Sequence, residues 1–543
     1  RASSLQVFSF EELQPSSMAA INIAIIFAFI MLSPFTYSVL PHEETGVPSK
    51  VMKDLVAGGT FLESIAKAPY YWESFTAQAQ AQQNYSSEIR EIVAEALHRQ
   101  NTNLSSSEEA SLNAFRKGAL TITTGHQLMV CGGTVFFEAK VLGAIALAAT
   151  ASKALNIDVV PVFWMASEDH DFQEISSFSI GEHRFIWELP DAKGPVGRLP
   201  TDTLADQLEA WLQNVPLSHA QKALVEPRLQ AYKECENLAE ATRQWVRQWA
   251  EGMGVLVLDG HDLAFKAAAA PLWSAEMDGV YSKLIRKQSE ALVAAGYEAQ
   301  VFPREINLFD LRDGDRQRFE QADHDCPYHH ISPNALMRPL YQEFLLPNLA
   351  YVGGGGELAY WLQLGEAFKK LDRPMPVLYL RNSLLIQSTK LERALERIGV
   401  PLKTILSHSP ELLKKQFISR NLSLQAEGEA LQLPLESAIQ QWNASLLSAY
   451  PELKQHAEAL QVKMLKLAQR TTETRYRVQK RRHSEVMTAI DTAYAAVFPS
   501  NTFWERKASY ADLVGFLGYD PRDEIVENMS TIKAGTWVLS SKK

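Results

Sequence analysis

The chain has 543 residues, 46% of them hydrophobic and 21% charged, with a formal net charge of −10. That length exceeds what one core holds and predicts several units, while the ordinary composition excludes wholesale disorder. The negative balance gives no general pull towards nucleic acid, so an anionic ligand needs a local site.

Three cysteines, Cys131, Cys235 and Cys326, lack a CxxC spacing. This excludes a disulfide framework and a cysteine-rich zinc site, and fits a reducing, cytoplasmic compartment. At the amino end, residues 18–40 are uncharged and include an apolar run at 21–32, close to the roughly 20 residues that span a bilayer. Pro34 interrupts the segment, Glu11-Glu12 and Glu43-Glu44 flank it, and no cation anchors it. A membrane anchor and a signal peptide are therefore disfavoured, and residues 1–56 read as an atypical terminal segment.

Helical patterns follow over 86–98 and 106–117, the second opened by capping serines at 105–107. The period then changes. Residues 119–123 read as a strand, Thr124-Gly125 ends it, Gly132-Gly133 completes a loop, and 136–155 reads as a long Ala-rich helix before a second strand at 157–164. Strand, glycine loop, helix and strand make a βαβ unit with a parallel sheet. Further buried strands are expected at 254–258, 349–352 and 376–380. The core is thus expected to be discontinuous over 57–383, with insertions near 185–250 and 300–340. Residues 384–500 read as helical. There Leu453, Ala457, Leu460, Met464, Leu467, Thr471, Thr474 and Val478 step by fours and threes, a coiled-coil seam in which an intramolecular hairpin competes with a dimer. Lys480-Arg481-Arg482 reads as a solvated face, and 501–543 forms a separate C-terminal segment.

Ligands of open α/β sheets bind at the carboxyl ends of strands, where the unusual residues cluster. The loop Thr124-Gly125-His126-Gln127, closed by Gly132-Gly133, offers free N–H groups, a helix start and a polarising imidazole, which suit a phosphate or carboxylate. A structural turn explains the same residues equally well. Glu168-Asp169-His170-Asp171 directly follows a buried strand, a costly placement unless the acids meet a cation, an amine or water. Asp169 and Asp171 could bind Mg²⁺ and His170 could act as a base; a salt-bridged strand end is the bland alternative. Gly353, Gly354, Gly355 and Gly356, followed by Glu357, form a third candidate turn for an anion, a ribose hydroxyl or an amine. Arg304 and Asn307, and likewise Asn334 and Arg338, lie among apolar residues and either hold loops together or grip carboxylates.

Five stretches together resemble the BshC cysteine ligases of bacillithiol biosynthesis: TGHQ through Gly133, PVFWMASEDHDFQEI from Pro161, FPREINLF from Phe302, SPNALMRPLYQEFLLPNLAYVGGGGELAYWLQL from Ser332, and LRNS with Arg381 and Asn382. The resemblance departs from the family pattern at His126, commonly Gln, and at Gly355, where Pro is expected. It implies a Rossmann-like, nucleotidyltransferase-like core with inserted connecting domains and a C-terminal helical coiled coil that mediates a homodimer. It also implies a ligase that joins the carboxyl of cysteine to the amine of glucosaminyl-malate. Because an unactivated carboxylate does not condense with an amine in water, ATP is the expected activator, through an adenylate first and an acyl phosphate second. On this reading the glycine turns hold the nucleotide, His126 and Gln127 stabilise transferring charge, Asp169 and Asp171 bind Mg²⁺ or an ammonium, and Arg304 and Arg338 take the malate carboxylates. A non-catalytic nucleotide-binding scaffold, and a ligase or adenylyltransferase for another acid–amine pair, are the competing functions.

Overall fold

Five short apolar segments pair into one parallel sheet in the computed structural model, which describes residues 35–58, 60–421, 424–529 and 531–541. They are β1 (Leu120–His126), β2 (Val159–Met165), β3 (Leu256–Asp259), β4 (Asn348–Gly353) and β5 (Val377–Leu380). Their order is β3-β2-β1-β4-β5 with every pair parallel. This is a doubly wound arrangement whose direction reverses between β1 and β4, and the crevice at such a reversal is the usual ligand position. The strands lack polar alternation because both faces are covered: β2 is buried at all seven positions and β4 at all six.

Helix α1 (Phe136–Leu155) has the bounds its sequence predicts and ends at Asn156 in the left-handed conformation. Small residues let it lie close to the sheet; a Cβ on Gly143 would meet Val352 at 3.8 Å. Phe137 of α1, Phe163 of β2 and Trp245 from the first insertion are all fully buried and meet edge to face or tilted, each contributing about 1.5–3 kcal/mol through its buried surface. Ser105 and Glu108 form a reciprocal capping box at the start of the Ser106–Arg116 helix.

Two long excursions interrupt the sheet. Between β2 and β3 lie a hairpin (Ser177–Ile180 with His183–Ile186) and the helices Asp202–Leu212, His219–Glu234 and Leu238–Trp249. Between β3 and β4 lie α2 (Leu263–Ala268), two further helices, a small antiparallel sheet (Leu308–Asp310, Gln317–Arg318 and Ile331–Pro333) and α3 (Met337–Leu345). Helix α4 (Gly355–Trp361) follows β4.

Beyond the core, the helices Leu424–Ala449 and Lys454–Arg482 are joined by a short turn at Pro451–Leu453 and pack on each other as a hairpin. Of the heptad positions, Ala457 is buried while Leu453, Leu467 and Val478 are exposed. A third sheet brings sequence extremes together: Phe35–Pro41 pairs antiparallel with Gly535–Ser541, which runs parallel to Ser383–Gln387. Residues 35–40 of the apolar amino-terminal segment therefore form a strand, and 18–34 lie outside the described residues. Among the described residues no helix is long and apolar enough to cross a membrane.

Candidate active site

A cavity of about 610 Å³ opens over the carboxyl ends of β1, β2 and β3, roofed by the loop before α3 and by α4. That size suits a small-molecule site. A larger hollow of about 1320 Å³ lies at the amino ends of β1 and β2. Its polar rim is made of exposed side chains such as Gln80, Gln83, Lys117 and Lys153, so it lacks the convergent buried polar groups that mark a site.

One wall of the cavity is cationic. Lys140, one turn into α1, donates to the Gly125 carbonyl at 2.8 Å and to Glu357 at 2.6 Å. Arg338 of α3 reaches the other Glu357 oxygen at 3.1 Å, and Tyr351 donates to that same oxygen at 2.5 Å. Arg338 also donates to Gln342 and to the Tyr360 hydroxyl. Burial works against the ionised Glu357, but Lys140 and Arg338 outweigh it and hold its carboxyl at about 2. Two cations share one carboxylate here, leaving a surplus of positive charge. The Lys140 and Arg338 side chains are only 8% and 16% exposed, so that surplus is poorly screened.

The opposite wall is acidic. The Gln127 amide donates to Asp169 and to Glu174, each at 2.7 Å. Asp169 also accepts the His170 N–H at 2.8 Å. Burial opposes the ionised Asp169, yet the Gln127 hydrogen bond and the Arg316 charge keep its carboxyl below the usual range. Behind it, Glu168 receives Lys266 at 2.7 and 2.9 Å and His261 at 2.9 Å, and is held at about 2 against its burial by these partners.

Between the walls stands His126. Its Nδ1 lies 2.9 Å from the Gln127 carbonyl, a contact that requires the proton on Nδ1. Burial, then the Lys140 charge, lower the imidazole to about 3, so the ring is neutral near pH 7 and Nε2 is an acceptor. This corrects the expectation that His126 stabilises negative charge: in this tautomer the free nitrogen takes a hydrogen bond from an amine or hydroxyl.

Of the other sequence candidates, Gly125, Asn334 and Arg338 line the cavity with His126, Gln127, Asp169 and Glu357. Asn334 spends its carbonyl on the Leu336 and Met337 N–H groups at the start of α3. The rest lie outside the lining. Thr124 donates to the Val352 carbonyl and ties β1 to β4. Gly132 and Gly133 have φ of +82° and +67°, and a Cβ on Gly132 would lie 2.6 Å from Glu138. That turn is glycine-rich for its own conformation, not for a ligand in this cavity. Gly353 is buried, and a Cβ on it would strike Leu358; Gly354 and Gly356 are more exposed, with open space beside them. His170 is exposed at the rim, and Asp171 caps the Phe172–Ile175 turn. Asp171 thus caps that turn and does not line the cavity beside Asp169, and among the described residues no group of three or more metal-ligating side chains converges. Arg304 is exposed. Asn307 is buried and donates to Glu276. Arg381 forms a buried bidentate pair with Glu505, and Asn382 accepts from Gly535 N–H and the Trp537 indole. Arg381 thus fastens the core to the Trp504–Arg506 turn, and Asn382 fastens it to the carboxyl-terminal strand.

Sequence reading missed Lys140, Glu174, Arg316 and Tyr360, and named Glu168 in the acidic cluster without giving it a role. Lys140 carried a signal: with Glu138 it is one of two charges early in a largely apolar helix, a position that is costly without a partner.

Residues 36–330 and 326–382 match the family model described as "Bacillithiol biosynthesis BshC, N-terminal Rossmann-like domain". Two similar proteins both bear the name "Putative cysteine ligase BshC". One, from Flavobacterium johnsoniae, is 29% identical over 505 residues, covering 87% of this chain and 94% of its own. The other, from Cytophaga hutchinsonii, is 30% identical over 458 residues, covering 77% and 83%.

Proposed function

This chain belongs to the BshC family of bacillithiol biosynthesis, and from that premise we propose that it is a ligase joining the carboxyl of L-cysteine to the amine of glucosaminyl-malate, with ATP supplying the activation. The observation that carries the reading is the polarised crevice at the sheet reversal, positive around Glu357 and negative around Gln127, with a neutral imidazole acceptor between them.

ATP, when bound, supplies a leaving group to the cysteine carboxyl. The residues present fit an anionic activator, since Lys140 and Arg338 carry more positive charge than Glu357 balances, and preorganised charge of this kind stabilises developing negative charge. Within this cavity the hold is through side chains, since the glycine turns expected to cradle phosphates are not among its lining residues. The cysteine ammonium is taken by Asp169 and its neighbour Glu174. The acceptor amine donates a hydrogen bond to His126 Nε2 as it attacks. The new C–N bond forms as the bond to the leaving group breaks, and the proton released goes to His170, at the rim 3.5 Å from Asp169. No step is assigned to a magnesium ion.

The reading extends to a nucleotidyltransferase-like core over 57–383, a coiled-coil domain over 384–500 that joins two copies, and a cytoplasmic setting. Exposed Leu433, Leu435, Trp442 and Val462 on the helical hairpin offer a surface for the second copy. The test is to mix purified protein with ATP, cysteine and glucosaminyl-malate and follow the thiol product by mass spectrometry. Product that requires all three supports the ligase. Pyrophosphate exchange with a different acid, and no product from these three, overturns the substrate assignment.

A further inference from the structure

Arg316 lies in a polar loop of the second insertion, between Leu308–Asp310 and Gln317–Arg318, and lines the cavity at its rim. Its side chain is about nine-tenths buried, at 10% exposure, and is held on three sides. Nε donates to the Ser332 hydroxyl at 3.2 Å, one terminal nitrogen donates to the Pro333 carbonyl at 2.5 Å, and the guanidinium stacks 4.2 Å from the Phe309 ring centre. The other terminal nitrogen is the least committed. It lies 3.4 Å from the His170 ring and 3.6 Å from Asp169, whose oxygens already receive shorter hydrogen bonds from Gln127 and the His170 backbone.

A second guanidinium shares the same ring: Arg304, exposed, sits 5.7 Å from the Phe309 centre. Burial, and last among the causes the Arg304 charge, oppose protonation of Arg316. The nearest anion to this pair of cations is Asp169, 3.6 Å away and already engaged by Gln127 and the His170 N–H, and a rigid guanidinium edge is the protein group best matched to a further carboxylate. The two cations of the inner wall differ, since both already contact Glu357 within 3.1 Å.

We propose that Arg316, assisted by Arg304, is the specificity-determining residue for the dicarboxylate end of the acceptor, binding the malyl carboxylates at the crevice mouth while the glucosaminyl amine points inward to His126. This rests on the ligase reading given above and replaces Arg338 in the role of malate anchor. The placement leaves the inner cationic wall for the activating nucleotide and puts the malyl group on Arg316 at the rim, beside Asp169.

The test compares wild type with Arg316→Gln, Arg316→Lys and Arg304→Gln. Arg316→Gln is expected to raise KM for glucosaminyl-malate about 10- to 100-fold, the loss of a charge-assisted hydrogen bond, with the KM for ATP nearly unchanged. The preference for glucosaminyl-malate over a methyl glucosaminide should collapse in the same variant. Arg316→Lys recovers part of the loss, and Arg304→Gln, an exposed change that leaves packing intact, gives a smaller rise in the same KM. Calorimetric titration with free L-malate reads the site without any turnover: wild type binds it and Arg316→Gln does not. If the chain makes no product yet binds malate through Arg316, the ligase reading fails and the anion site stands. An unchanged acceptor KM, a loss that falls on ATP instead, or equal malate binding by wild type and Arg316→Gln overturns the proposal.

Discussion

Replacing Glu357 by Gln tests the electrostatic argument on which the inner wall depends. The carboxylate stands 2.6 Å from Lys140 and 3.1 Å from Arg338, and accepts the Tyr351 hydroxyl at 2.5 Å. Its carboxyl is held at about 2 instead of the ordinary 4.5, a displacement that corresponds to about 3 kcal/mol favouring the ionised, folded form. Because the folded value lies below the unfolded one, this stability is complete above about pH 4.5 and is lost as the pH falls towards 2. Gln keeps the shape and can still accept from Lys140, but its amide N–H groups face the Arg338 donors, leaving a buried cation unpaired. We therefore expect Glu357→Gln to lose about 3 kcal/mol at pH 7, measured by urea unfolding followed through tryptophan fluorescence. Trp361 is a suitable reporter, fully buried and stacked 4.3 Å from the Tyr351 ring. The double variant Lys140→Met, Glu357→Gln should be less destabilised than the sum of the single changes by at least about 1 kcal/mol. Additive losses, or a Glu357→Gln cost below about 1 kcal/mol, would refute the reasoning.

Asp169→Asn should lower ligation by about 100-fold while leaving the melting curve unchanged, since it removes the charge facing the cavity but keeps a group that can bond Gln127; full activity ends that role. Acid should weaken the fold through two histidines lowered by burial, His42 to about 4 and His126 to about 3. Both bind protons more readily unfolded, so stability is full above about pH 6.5 and falls below it, by about 2 kcal/mol for each between pH 7.5 and 5; equal urea midpoints at the two pH values would contradict this. Gly132→Ala should cost more than about 1 kcal/mol, from a left-handed φ and the Cβ's approach to Glu138, and a neutral effect on the urea midpoint would count against the turn. Glu505→Gln should lose about 3–5 kcal/mol by stranding Arg381, with hydrogen exchange accelerated first at the Leu384 N–H, which Glu505 accepts; unchanged protection there would dismiss the fastening role.

The strands and α1 were legible because their cause is local. An uninterrupted apolar run between Ala119 and Thr123, a glycine turn, and a helix ended by Asn156 follow from side chains a few residues apart. The same is true of the capping box at Ser105 and Glu108. The order of the strands was not legible, since it depends on two excursions that each fold before returning to the sheet. The site divides in the same way. His126, Asp169 and Glu357 stand directly at strand ends and were found from position alone. Arg316 was not, because its loop has no period and its partners Phe309 and Ser332 come from other strands of the small sheet. Arg381 and Asn382 misled for the opposite reason: they follow β5 as a ligand-binding pair would, but their partners arrive from Glu505 and Gly535–Ser541, over a hundred residues later.

The sheet that joins Phe35–Pro41 to Gly535–Ser541 has a consequence for synthesis. At the usual pace of a ribosome, the early strand waits roughly half a minute or more for its antiparallel neighbour. Until then its backbone donors and acceptors are unmatched, beside Tyr37 and Val39, which remain exposed even in the finished molecule. The early strand thus stays unpaired while everything between it and Gly535–Ser541 is made, and only that late strand supplies the partner for its one matched edge.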